Sequence, residues 1–139
     1  MVRIIVYAHN RSQEDDLVAH FSSLDMNYGC TSIILWSLGE LLNSLRYSLF
    51  DETIVVIFVR DSAMLLDIID EVAIMKRFKL LILLPNDDQE LLRLGHRLYP
   101  RFMTVKDGGY TEIKEVLSTM IQNIMKSGLT KEGKCNDTQ

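Results

Sequence analysis

The chain has 139 residues, 47% of them hydrophobic and 24% charged, with a formal net charge of −4. That length suits one domain of ordinary size with a core large enough to fold without disulfides or structural metal, and the acidic balance disfavours a nucleic-acid-binding module, which needs a basic face to displace counterions from phosphate. Cys30 and Cys135 have no CxxC or paired-histidine spacing and read as free thiols; no apolar run is long enough for a membrane span, and Met1 to Tyr7 is too short for a secretory signal, so a cytoplasmic protein is expected.

The first strand is predicted over Arg3 to Tyr7. A helix follows from about Ser12, whose hydroxyl can cap the free amides while Gln13, Glu14, Asp15 and Asp16 meet the positive end of the dipole. Its inward stripe is Leu17, Phe21 and Leu24. Asp25 to Thr31 reads as a turn into a second strand, Ser32 to Trp36. The next helix, about Leu38 to Leu49, places Leu38, Leu41, Leu42, Leu45 and Leu49 at three- and four-residue spacing.

Thr53 to Val59 is the longest apolar strand and carries no charge, which puts it at the centre of a sheet. Its exit is Arg60, Asp61, Ser62. The helix from Ser62 to about Met75 has an unusually wide apolar face, Leu65, Leu66, Ile68, Ile69, Val72 and Ala73, fit for a deep core position or a partner surface. Leu80 to Leu84 is the fourth strand; Pro85 and Asn86 break it, Asp87 and Asp88 open a helix to about Leu98, and Tyr99 and Pro100 stop that helix.

The last strand, Phe102 to Val105, ends at Lys106, Asp107 and paired glycines. A final helix over Thr111 to Lys126 carries Ile113, Val116, Leu117, Met120, Ile121, Ile124 and Met125 in one stripe. Residues 127–139 have no apolar period and are expected to be a disordered tail, leaving 1–126 as one domain. Continuous β-branched strands alternating with amphipathic helices predict an α/β fold, a parallel sheet with helices on both faces.

Chemistry-bearing motifs are sparse. GxGxxG, GxxxxGK and GxSxG are absent, and Ala8 to Glu14 lacks the glycines of a phosphate-gripping loop. His9, Asp61 and Ser37 could all lie at the carboxyl edge of the sheet, where a triad would need them to meet.

Five β-α units with Asp61 just past the central strand and Lys106 at the end of the last one resemble the receiver domain of two-component response regulators. The resemblance covers residues 1 to 126 and implies a flavodoxin-like three-layer sandwich of strand order 2-1-3-4-5. It further implies a phosphoacceptor near Asp61, a phosphate-pairing cation at Lys106, and a magnesium ion held by acids after the first strand. Here that stretch reads Val6, Tyr7, Ala8, His9, Asn10, with no carboxylate to offset a hard cation. Asp61 sits a residue or two late and also suits a helix cap. Asn86 stands near where the family keeps a small hydroxyl residue, and Asp107 replaces the proline after the lysine.

The pattern looks like a degenerate pseudo-receiver, a non-enzymatic signalling or protein-interaction module with no metal or cofactor. Its expected partner is a protein, a sensor kinase or output protein, or a second copy in a homodimer, and neither nucleic acid nor membrane. The family's output surface would fall here on Arg93, His96, Arg97, Tyr99, Lys106, Tyr110 and Lys114, a basic and aromatic cluster of the kind favoured at interfaces. The alternatives are an atypical receiver phosphorylated on Asp61 and a small-molecule-binding flavodoxin-like domain.

Overall fold

The structure, a computed structural model, describes residues 2–9, 15–19, 21, 30–47, 52–105 and 109–137, with side chains in the last helix described over 111–125. The strands are β1 (Val2–Tyr7), β2 (Thr31–Leu35), β3 (Glu52–Phe58), β4 (Lys79–Leu84) and β5 (Phe102–Val105). All neighbours pair in parallel, in the order β2-β1-β3-β4-β5. The chain therefore adopts an α/β flavodoxin-like fold with β3 in the middle of the sheet. Parallel strands buried on both faces need apolar side chains at every position, and Thr53 to Val59 are all buried.

Two cores result, one on each face. Ile5, Tyr7, Val55, Ile57, Val59, Leu80, Ile82 and Leu84 point to one side. There they meet α2 (Leu38–Arg46), α3 (Ser62–Ile69), α4 (Val72–Met75) and α5 (Gln89–His96). Ile4, Val6, Ile54, Val56, Phe58, Leu81 and Leu83 point to the other side. They pack on α1, described as helix at residues 15–19 and 21, and on α6 (Gly109–Asp137). Phe21 of α1 meets Phe58 edge to face, ring centroids 6.5 Å apart. Each fully buried Leu or Ile on these faces contributes about 1.5–3 kcal/mol of transfer free energy, which makes the two cores the main source of stability.

The predicted stripes are largely the buried ones. Leu17, Phe21, Leu41, Leu45, Ile113, Leu117 and Ile121 are all inside. Leu38 and Leu42 are half-buried, and Leu24 and Leu49 lie outside the described residues.

The predicted Ser62 to Met75 helix is two helices. Glu71 leaves helical geometry at φ −109°, ψ 23°, and α4 starts afresh after it. α3 buries Leu65, Ile68 and Ile69 and leaves Leu66 exposed, and beyond the break Ala73 of α4 is exposed. At the other end, the backbone of α6 is helical to Asp137, past Lys126, where the aperiodic composition had predicted a disordered tail. No apolar stripe drives that extension; helical hydrogen bonds continue one already nucleated by the packed turns before it.

Candidate functional site: the carboxyl rim of the sheet

In doubly wound folds, ligands and partners meet the rim formed by the carboxyl ends of the strands. Here the described rim consists of Ala8 and His9 after β1, Trp36 and Ser37 after β2, Val59 to Asp61 after β3, and Pro85 to Asp88 after β4. Lys106, the candidate phosphate-pairing residue, lies outside the described residues, as does Asn10.

Asp61 is the N-cap of α3. Its extended backbone (φ −161°, ψ −179°) turns the side chain back over the helix entrance, where Oδ1 accepts a hydrogen bond from the Met64 N–H at 3.0 Å. Its other oxygen, Oδ2, accepts from Arg60 Nε at 3.0 Å. The Met64 N–H first, then the Arg60 guanidinium, and more weakly His9, hold the Asp61 carboxyl below its usual range. Both oxygens of the candidate phosphoacceptor thus have intramolecular partners, and His9 lies close enough to act on it electrostatically.

Two residues earlier, Val59 is buried and its N–H donates to Leu83 O at 2.9 Å. The first rim position after β3 is therefore an apolar residue tied into the β3–β4 ladder. Ser37 does not join Asp61. It caps α2, accepting from the Glu40 N–H at 3.2 Å and donating to Glu40 Oε1 at 3.3 Å. The whole width of β1 separates its strand from that of Asp61, so the imagined triad is not assembled.

Beside Asp61 a groove of about 530 Å³ opens between the β3–α3 and β4–α5 turns, lined by Arg60, Asp61, Ser62, Pro85, Asn86, Asp87, Asp88 and Leu91. Asn86 Oδ1 accepts from the Asp88 N–H at 2.9 Å, folding the β4–α5 turn. Asp88 occupies the N-cap of α5 yet makes no side-chain capping bond. Asp87 and Asp88 are exposed and form no ion pair among the described residues. In the sequence these two acids signal only the opening of a helix; their place in a groove depends on the β4–α5 turn, with Pro85 and Asn86, lying beside Asp61. Among the described residues, no group of three or more His, Cys, Asp or Glu side chains is placed to hold a metal ion.

Tyr7 lies just below the rim, and its residue type gives it no functional role in the sequence. Tyr7 closes β1 with its ring in the α2–α5 core, 8% exposed, and desolvation pushes its phenol above the usual value while Arg60 and Asp67 act on it from nearby in opposite directions. A tyrosine in an apolar strand carries no periodic signal that its hydroxyl lies near a charged turn.

None of the candidate interface residues with a described side chain lines the groove. Arg93 is held by Glu90 one turn earlier on α5. Arg97, Tyr99 and Lys114 are exposed. Tyr110 falls in α6, its side chain outside those described.

No family model matches the chain, and no curated protein sequence does. Solved structures do match. One is a protein described as pilus assembly-related from Burkholderia pseudomallei, with a TM-score of 0.65 at 13% identity, covering 88% of this chain and 90% of that one. Another is a 3-dehydroquinate dehydratase-like protein from Bifidobacterium longum, with a TM-score of 0.59 at 15% identity, covering 89% of this chain and 98% of that one. At such identities the likeness is one of fold. No helix among the described residues is long and apolar enough to cross a membrane.

Proposed function

We propose that this chain is a receiver-like protein-interaction module that works through its surfaces and transfers no phosphoryl group. The observation that carries this reading is the double engagement of Asp61, with one oxygen on the Met64 N–H and the other on Arg60. An in-line attack on a phosphoryl donor needs a carboxylate oxygen free to act as nucleophile, with a hard cation to neutralise the incoming charge. Freeing Asp61 would uncap α3 and separate an ion pair, so the acid is more useful to the fold than to group transfer. Supporting the surface role, Arg97, Tyr99 and Arg101 are exposed together in the turn between α5 and β5 of an acidic chain, and arginine and tyrosine are the side chains most often found anchoring interfaces.

Magnesium titration followed by amide NMR tests the reading. The expected result is no saturable shift at Asp61, Ser62 or Asn86 up to millimolar magnesium. Saturable shifts confined to those residues and to the turn after β1 would restore a receiver's metal site and overturn it.

A further inference from the structure

We propose that this chain associates head to tail with copies of itself, the turn at residues 97–101 of one copy seating in the groove between Asp61 and Asp88 of the next. This goes beyond the interaction role above and does not depend on whether Asp61 can be phosphorylated.

The turn has three unusual properties. Tyr99 is 73% exposed and its φ of 55° lies in the left-handed region, a conformation uncommon for a bulky residue and costly to hold. Pro100, which follows, makes extended geometry the easier choice for Tyr99, so the turn keeps its ring outward against local preference. On either side, Arg97 and Arg101 are exposed and form no ion pair among the described residues. An aromatic projection between two unpaired guanidinium groups is thus displayed on a protein of net charge −4.

The groove supplies what that projection lacks. It carries Asp61, Asp87 and Asp88 against Arg60 alone, three negative charges and one positive, so two negative charges remain to meet the two arginines. Pro85 and Leu91 give it apolar surface, and about 530 Å³ of space exceeds the volume of any single side chain. Of the three groove carboxylates, Asp87 and Asp88 form no ion pair with a described residue.

Turn and groove cannot satisfy each other within one molecule. The groove lies where α5 begins, at the carboxyl ends of β3 and β4, and the turn lies where α5 ends, before β5. The rigid helix between Asp88 and Arg97 holds them about 13 Å apart along its axis at the 1.5 Å rise of an α-helix. Complementary patches at opposite ends of a subunit make a heterologous contact, which adds copy to copy into a ring or an open filament instead of pairing two copies about a twofold axis. A nucleic acid is the weaker occupant for the turn, because two guanidinium groups release few counterions and the acidic chain repels a polyanion.

Sedimentation of the full chain from micromolar to millimolar concentration tests the proposal. Association should grow past the dimer with concentration and fall when salt is raised to about 0.5 M, where exposed charges are screened within a few ångströms. Arg97→Glu with Arg101→Glu removes the turn; Asp87→Lys with Asp88→Ser removes the groove while keeping a capping residue on α5. Each variant alone should stay monomeric with an unchanged circular dichroism spectrum, and a mixture of the two should form a one-to-one dimer and nothing larger. Tyr99→Ala should weaken association about tenfold or more. A wild-type chain that remains monomeric throughout, a dimer that never grows, or association untouched by both pairs of substitutions would overturn the proposal. A dimer that never grows would point to a twofold contact elsewhere on the chain.

Discussion

Gly95 of α5 lies directly against the thioether of Met103 in β5: a methyl group added at position 95 would overlap the Met103 sulfur, with Leu84 beyond it. The absence of a side chain at Gly95 lets α5 settle onto the edge of the sheet, and this seat fixes both ends of the helix, the groove at Asp88 and the turn at Arg97.

Gly95→Ala sets a gain in helix propensity of about 1 kcal/mol against displacement of Met103, a flexible side chain. The two should nearly cancel. In a Met103→Ala background the opposition is gone, so the same substitution should stabilise by close to 1 kcal/mol. Urea unfolding of the four variants as a double-mutant cycle checks this, with a coupling of at least about 0.5 kcal/mol expected between the two positions.

Asp61→Ala should lower the melting temperature by uncapping α3, and Asp61→Asn should lower it less, because an amide oxygen still accepts from the Met64 N–H. The acid dependence has a definite sign. A carboxyl depressed in the folded state stabilises above its unfolded value, close to 3.8, and that contribution is lost as pH falls through the folded value. Thermal melts between neutral pH and strong acid should therefore show a shallower acid loss for Asp61→Asn than for the parent chain.

Tyr99→Gly should stabilise the chain by up to about 1 kcal/mol, since glycine adopts positive φ without a Cβ clash, and should at the same time weaken self-association. Denaturation midpoints and sedimentation measured on one preparation separate the two effects. A loss of stability would mean the tyrosine ring is held by packing.

The Tyr7 phenol is raised chiefly by desolvation. A raised group stabilises in full below its unfolded value, near 10.0, and the contribution disappears as pH climbs through the folded value. Tyr7→Phe should therefore unfold less readily than the parent chain above that pH and change little near neutrality, as followed by alkaline unfolding at fixed temperature.

Much of this fold was legible in the residues because burial on both faces writes a simple code. Thr53 to Val59 could be placed in the sheet centre from composition alone, and Leu41 with Leu45, or Ile113 with Leu117 and Ile121, from spacing. The break at Glu71 was not legible: Leu65 to Ala73 is apolar enough to read as one helix, and only packing against both β3 and α5 decides where it turns. At the rim, Asp61 could be read as a cap because its chemistry is local, three residues from the amide it accepts. The groove was not, since it joins residues from the ends of two strands that are neighbours only after folding. Tyr99 could be seen to end a helix, while its left-handed backbone and its distance from the groove belong to the tertiary fold.

The measurement that tests the central claim most directly is the intact mass of the chain after incubation with acetyl phosphate and magnesium. With Asp61 committed to Met64 and Arg60, the mass is predicted to remain that of the unmodified chain from the first seconds onward. A gain of one phosphoryl group, lost in Asp61→Asn, would contradict the account and make this protein an active receiver.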